Sequence, residues 1–107
     1  MSEDSFILVS NENELKNGSM KLFNVAGKNI LLARFNDQIY GISNRCPHMG
    51  CSLANGKLNA YIVTCPCHGW SFDVRTGQNQ RSKDINIQVY QCKLQDGKIY
   101  VNIPDVI

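Results

Sequence analysis

Short runs of apolar and β-branched residues, separated by turn-forming pairs, follow one another through the first part of the chain. This pattern predicts a strand over residues 5–10, followed by a meander of antiparallel strands. The strands of the meander are expected over residues 20–25, 30–35 and 39–43, with turns at Gly27-Lys28 and Asn36-Asp37.

A single helical turn is expected between the first strand and the meander. Asn11 is followed three residues later by Glu14, which is the spacing of a capping box. The turn is expected to end near Asn17 and Gly18, and little other helix is predicted.

Alternation of apolar and polar residues returns near the end of the chain, over residues 85–92 and 99–103. The Asp96-Gly97 pair between these runs predicts a β-hairpin. Strands on both sides of the central region favour an all-β fold, with an antiparallel sandwich or barrel base into which a metal-binding subdomain is inserted. We expect a single domain over residues 1–107, with the subdomain at about 44–77 and the base formed by 1–43 and 78–107.

Composition and charge narrow the range of functions. The chain of 107 residues is 43% hydrophobic and 19% charged, as in an ordinary folded protein. Its formal charge is +2 and its eleven basic residues are scattered, which argues against nucleic acid as a partner. Neither a membrane span nor a secretory leader can be read from the sequence, so we expect a cytoplasmic protein.

The histidines and most of the cysteines lie close together in the sequence. Four of the five cysteines fall between Cys46 and Cys67, which favours a metal site over a secreted disulfide scaffold. Cys46-Pro-His48 is separated by sixteen residues from Cys65-Pro-Cys-His68, so two loops each offer one thiolate and one imidazole. The chain has only two histidines, and both belong to this motif.

Three other interpretations of the motif fit its residues less well. A zinc site that staples two loops is one alternative, although zinc fingers usually group cysteines with cysteines and histidines with histidines. A mononuclear iron oxygenase site would need two further histidines, which the chain lacks. A cysteine nucleophile with a histidine base would need one activated thiol in a cleft, which paired ligand loops do not resemble.

The two motif segments resemble those of the Rieske ferredoxins that serve bacterial aromatic-ring dioxygenases. The segments are Cys46-Pro-His-Met-Gly-Cys51 and Cys65-Pro-Cys-His-Gly-Trp-Ser-Phe-Asp73, followed by Thr76-Gly77. The likeness extends to Glu14-Leu15, Gly18, and residues 40–44 and 96–101, and so covers nearly the whole chain. It implies a fold of three antiparallel sheets and one [2Fe-2S] cluster. Two cysteines would hold one iron and two histidines the other: Cys46, Cys65, His48 and His68.

The remaining cysteines add a second resemblance. Cys51 and Cys67 stand where the Rieske proteins of respiratory complexes carry a disulfide between the two cluster loops. The resemblance therefore implies a possible bridge between Cys51 and Cys67, the alternative being two buried free thiols. Cys92, at the end of a predicted strand, is expected to be a buried core thiol.

Trp70 and Phe72 differ from the respiratory pattern, which places a serine and a tyrosine there to donate hydrogen bonds to sulfur. Phe72 has no hydroxyl, so the reduced state should be less stabilised. We therefore expect a reduction potential in the lower part of the Rieske range, which runs from about −150 to +300 mV. Both aromatic side chains are also expected to pack between the subdomain and the base, and Asp73, Thr76 and Gly77 to form a turn.

The resemblance implies a soluble one-electron carrier without a substrate of its own. It would pass electrons from a flavin- or NAD(P)H-dependent reductase to a terminal oxygenase or other oxidoreductase. Alternatives are a protein like the small subunit of a nitrite reductase, which commonly lacks the ligands, a zinc-stapled binding module, and a soluble domain of a respiratory complex.

Overall fold

The computed structural model describes residues 6–25, 27–45, 51–67, 69–80 and 85–103. In this part of the chain, ten strands form three antiparallel sheets, which confirms the predicted all-β fold. No helix within these ranges is long and apolar enough to cross a membrane.

The predicted meander forms most of a four-stranded sheet. Its strands are β2 (Ser19–Val25), β3 (Lys28–Phe35) and β4 (Gln38–Ser43), and a later strand β8 (Val89–Tyr90) completes the order β2-β3-β4-β8. The β3–β4 hairpin turns at Asn36 and Asp37, whose φ angles are 55° and 62°. Two successive residues with positive φ match the right-handed twist of a hairpin, as the Asn-Asp pair predicts.

Strand β3 is buried on both of its faces. Leu31 and Ala33 face one hydrophobic core cluster, while Ile30 and Leu32 face the other. Successive side chains of a strand point to opposite faces of the sheet, so a continuous apolar run can serve two cores. This strand therefore lies between the two halves of the hydrophobic interior.

The second sheet joins the two ends of the described chain. It has the order β1-β10-β9 and consists of β1 (Phe6–Asn11), β9 (Cys92–Gln95) and β10 (Lys98–Asn102). Asp96 and Gly97 form the β9–β10 turn with φ angles of 54° and 74°. The predicted Asp96-Gly97 hairpin is confirmed, although its first strand begins later than expected.

The predicted capping box is wrong. Residues Glu12–Glu14 form a short 3-10 turn, Asn11 belongs to β1, and its side chain makes no capping hydrogen bond. Instead, the Glu12 N–H donates to the carbonyl of Gly97 at 2.8 Å. The first backbone donor of the 3-10 turn is therefore satisfied by a tertiary contact with the β9–β10 turn and not by a local cap.

The single strand predicted over residues 85–92 is also wrong. The chain pairs with β4 only at β8 and joins the other sheet from Cys92, where β9 begins. Ahead of β8, the Ile87 N–H donates to the Gly77 carbonyl at 2.8 Å, so this segment pairs with a loop. Apolar alternation alone could not reveal that neighbouring residues pair with strands of different sheets.

The third sheet lies in the segment that the sequence assigned to the subdomain. It consists of β5 (Lys57–Asn59), β6 (Ile62–Thr64) and β7 (Ser71–Asp73), preceded by a 3-10 turn at Leu53–Asn55. Its buried residues share one core cluster with residues of β3 and β4: Leu53, Val63, Phe72, Leu31 and Ile42. The boundaries of the subdomain at about residues 44 and 77 stay a prediction.

Substitutions at two glycines test how closely residues 85–88 pack against the loop that contains Gly77. Gly18 and Gly77 both have positive φ, at 83° and 80°, but only at Gly77 would an added Cβ overlap a backbone atom, the carbonyl oxygen of Ile87. We expect Gly18→Ala to cost about 1 kcal/mol of unfolding free energy, and Gly77→Ala about 1–3 kcal/mol more. Urea unfolding followed by circular dichroism measures the difference, and equal midpoints would contradict this packing.

Candidate metal centre

Only one of the four predicted ligands lies in the described part of the chain. Cys65 lies within the described residues, whereas Cys46, His48 and His68 lie outside them. The site can therefore be built from Cys65 and from the segments that lead into both ligand loops.

Cys65 lies at the start of the loop that joins β6 to β7, and its side chain is only 2% exposed. Its N–H donates to the Trp70 carbonyl at 2.7 Å, and its carbonyl accepts from the Gly69 N–H at 3.1 Å. Gly69 has a φ of 73°, which favours glycine at this point of the tight return. Below the loop, the hydroxyls of Thr64 and Ser71 lie 3.2 Å apart across the strands. The base of the second ligand loop is therefore held by the paired strands β6 and β7.

A disulfide connects the two ligand loops in the structure. Cys51 and Cys67 are bonded, with a Cα–Cα distance of 6.6 Å, within the range usual for disulfides. The sulfur atoms of Cys51, Cys65 and Cys67 all lie within 4.8 Å of one another. Two of these sulfurs are consumed by the bridge, so Cys65 is the member of this group left as a thiol.

This donor set fits one side of a mixed cysteine and histidine site. Disulfide sulfurs are not thiolates, so the three neighbouring cysteines do not form a three-thiolate zinc site while the bridge is intact. A buried thiol in a braced loop offers the single sulfur ligand that the sequence predicts for this loop. Further ligands would have to come from residues outside the described ranges, where the sequence places Cys46, His48 and His68.

Asn44 braces the first ligand loop, a role that the sequence analysis missed. Its side-chain NH₂ donates to the Ser52 hydroxyl, and its side-chain oxygen accepts from the Ala54 N–H, both at 2.8 Å. Its own carbonyl accepts from the Leu53 N–H at 2.8 Å. Asn44 is buried, and these bonds tie together the two ends of the segment that carries Cys46 and His48. The signal in the sequence is a lone amide two residues before the first ligand cysteine.

The turn predicted at Asp73, Thr76 and Gly77 is present. The Asp73 carbonyl accepts from the N–H groups of Thr76 and Gly77 at 3.2 and 2.7 Å. The Arg75 guanidinium donates to the Asp73 carboxylate, and these hydrogen bonds hold the pKa of Asp73 below its usual value. Arg75 also lies 4.1 Å from the centroid of the Tyr61 ring. These contacts stabilise the end of β7, and they assign no chemistry to the turn.

Trp70 and Phe72 pack as the sequence predicts. Phe72 is completely buried in the core cluster that also contains Leu31 of β3 and Val63 of β6. Trp70 is partly buried and packs against the same cluster. Phe72 therefore joins the third sheet to the base and offers no hydroxyl at its position.

Cys92 has a different role from the other cysteines that the structure describes. It begins β9 instead of ending a strand, and it is only partly buried, so the predicted core position needs correction. The Cys92 Sγ lies against Gly41 of β4, where an added Cβ would approach it to 2.9 Å. Desolvation raises the pKa of this thiol to about 12. Cys92 fills the space left by a glycine and does not belong to the three-sulfur group.

Comparisons with known proteins agree with this description. Residues 5–91 match the model of the Rieske [2Fe-2S] domain. The ferredoxin of carbazole 1,9a-dioxygenase from Nocardioides aromaticivorans IC177 is 30% identical, with a TM-score of 0.85 over 91% of this chain and 96% of that chain. A complex of reduced oxygenase and oxidized ferredoxin in carbazole 1,9a-dioxygenase contains a chain 25% identical, with a TM-score of 0.83 over 94% of each chain.

A longer protein also contains a matching segment. Apoptosis-inducing factor 3 of Homo sapiens is 30% identical over 89 residues, which cover 82% of this chain but only 15% of that protein. The present chain therefore spans a small part of this relative. The matches together imply one Rieske [2Fe-2S] cluster as the cofactor.

The states of the cysteines can be checked by alkylation. In the folded, oxidised protein we expect iodoacetamide to leave Cys51 and Cys67 unmodified, and peptide mapping without reductant should recover them as one linked pair. Cys92 should react slowly at about pH 8, because burial favours its protonated form, and should react fully after unfolding in urea. Carbamidomethyl groups on both Cys51 and Cys67 before reduction would contradict the bridge.

Proposed function

The chain belongs to the Rieske [2Fe-2S] domain family, and on that premise we propose that it is a carrier of single electrons between two protein partners. We propose that Cys46 and Cys65 bind one iron and that His48 and His68 bind the other. The observation that carries this proposal is the three-sulfur group, in which the bridge leaves Cys65 as a buried thiol in a braced loop. When bound, a Rieske cluster accepts and releases one electron.

The residues of the chain supply a rigid and partly dehydrated setting for this cofactor. Asn44 closes the first loop, the β6–β7 hairpin closes the second, and the Cys51–Cys67 bridge connects them. A site supported in this way keeps its ligands in place when the charge of the cofactor changes. The completely buried Phe72 and Val63 beneath the second loop exclude water from that side.

The partners that we propose are a flavin- or NAD(P)H-dependent reductase as donor and a terminal oxygenase or other oxidoreductase as acceptor. The similar ferredoxin of carbazole 1,9a-dioxygenase, and the complex of oxygenase with ferredoxin in that system, support this role. The sequence offers no histidines beyond the two proposed ligands, so a mononuclear iron site of the oxygenase type has no histidine ligands in this chain.

A second candidate function is favoured by the match to apoptosis-inducing factor 3. Because the matched segment is 15% of that protein, the same fold also occurs as one module of a much longer chain. In this alternative the electron would pass to or from a larger oxidoreductase. The proposed chemistry of the cluster is the same in both candidates, and they differ in the partner.

The ligand role of Cys65 can be tested against a matched cysteine. We expect Cys65→Ser to lose most of the bound iron, together with the visible colour and the electron-spin-resonance signal after dithionite, because the serine hydroxyl is a poor replacement for a thiolate ligand. Cys92→Ser removes the other free thiol and should retain the iron, the colour and the signal.

Equal iron content in these two variants would contradict the assignment of Cys65. A colourless wild-type protein that contains zinc, prepared under anaerobic conditions, would contradict the electron-transfer proposal and leave a structural zinc module.

The reduction potential gives a separate test. We expect a midpoint in the lower part of the range of about −150 to +300 mV, because the side chain at Phe72 offers no hydroxyl to a sulfur atom. A redox titration followed by electron spin resonance measures it, and Cys92→Ser should give the same value. A midpoint near the upper limit would instead support the respiratory interpretation.

A further inference from the structure

Carboxylates are absent from the part of the sequence that contains both ligand loops. No aspartate or glutamate occurs between Asp37 and Asp73, and the charged residues in that interval are Arg45 and Lys57. Both basic side chains are exposed. Within the described ranges, neither side chain forms an ion pair with a carboxylate. The sequence interval that contains the proposed ligands therefore carries a positive charge, although the formal charge of the whole chain is only +2.

The acidic residues near the start of the chain show a different arrangement. Glu12 and Asp37 both lie beside the largely buried guanidinium of Arg34, at 3.6 and 3.2 Å. Glu14 pairs with Lys21 at 3.2 Å. Carboxylates in this region are thus matched by neighbouring cations of the same chain, whereas Arg45 and Lys57 have no such neighbour in the sequence interval around the ligand loops.

A groove opens directly beside Cys65. It has a volume of about 540 Å³ and is lined on one side by residues 55–57 and Asn59 and on the other by Thr64, Cys65, Pro66 and Gly69. Its walls are largely apolar, and Lys57 contributes to them. Lys57 lies opposite Thr64 in the β5–β6 pair, which places it across the strands from the residue before Cys65. The groove therefore combines an apolar centre, a cationic edge and contact with a proposed cluster ligand.

We propose that this groove is the docking surface for an electron-transfer partner whose contact face has an apolar centre bordered by carboxylates. The inference rests on the proposed function, to which it adds the chemistry of the partner. An apolar core with a polar rim is the usual anatomy of a transient interface, and opposite charges accelerate encounter and select partners. A partner seated here would contact the exposed Pro66, next to the buried Cys65, so the electron would cross a short distance.

A second copy of this chain is a poorer occupant of the groove. Two copies meeting groove to groove would bring Lys57 of one protomer towards Lys57 of its partner. Like charges at an interface oppose association, and no carboxylate in the interval from 38 to 72 could compensate. The charge pattern therefore favours a different, acidic protein.

Charge reversal tests the proposal with a defined oxidant. One electron passes from the reduced protein to ferricyanide, which becomes ferrocyanide, and stopped-flow absorbance follows the step. We expect Lys57→Glu, and more strongly the double variant Arg45→Glu/Lys57→Glu, to lower the second-order rate roughly three- to tenfold at low salt. The difference should shrink as added salt screens the charges. Lys57→Gln should give an intermediate rate.

The control is Lys16→Glu/Lys98→Glu, which changes the net charge as much as the double variant does. Lys16 follows Leu15, and Lys98 precedes Ile99, and both of these neighbours belong to the core cluster that does not contain Cys65. This control should react nearly as fast as the wild type. A cationic oxidant, tris(phenanthroline)cobalt(III), should show the opposite order of rates for Lys57→Glu and for the double variant Arg45→Glu/Lys57→Glu.

Competition with poly-L-glutamate then tests docking itself. This polyanion should slow the ferricyanide reaction of the wild type and of the Lys16→Glu/Lys98→Glu control, and should have little effect on Arg45→Glu/Lys57→Glu. Equal inhibition of all three proteins, or a charge reversal that leaves the rate unchanged, would overturn the docking proposal. Iron content and the reduced-state spectrum are measured on the same samples, so loss of the cluster, which would contradict the proposed function, is distinguished from loss of docking.

Discussion

The burial of β3 on both faces is the constraint on which the rest of this structure depends. A strand whose successive residues enter two different cores must be covered on each side, and Leu31 and Leu32 illustrate the division. One covering layer is the sheet formed by the chain ends. The other includes the small third sheet, which presents Phe72 and Val63 to the same core as Leu31. The third sheet, from which the second ligand loop departs, is thus anchored by core packing.

The proposed metal centre depends on this rigid support at the ends of its two ligand loops. Loops can carry ligands only when their ends are held, because an unsupported loop would lose too much conformational entropy on binding. Asn44 supplies the constraint for the first loop through three hydrogen bonds, and strand pairing supplies it for the second. The Cys51–Cys67 disulfide then makes the two loops one unit.

The sequence predicted those features whose causes are local. Positive φ at Asn36 and Asp96 follows from the turn preferences of these residues, so both hairpins could be placed in advance. The capping box and the strand over residues 85–92 failed because the backbone groups concerned bond to distant segments, as the N–H of Glu12 does to the carbonyl of Gly97. The role of Asn44 depends on contacts across a ligand loop, which no single-sequence pattern displays. The ligand motif could be found because its residue types and spacing are themselves the chemical signal.

Cys65 and Cys92 show why residue type alone does not assign a role in such a protein. Both are free thiols, but Cys65 is held in a glycine-containing return beside two other sulfurs, whereas Cys92 lies against Gly41 with desolvation raising its pKa to about 12. A metal ligand must become a thiolate, and burial without a compensating cation opposes that change. No carboxylate occurs between Asp37 and Asp73, and Lys57 lies across the strands from Thr64, the residue before Cys65. The charge distribution beside the Cys65 loop would therefore favour an anionic partner surface.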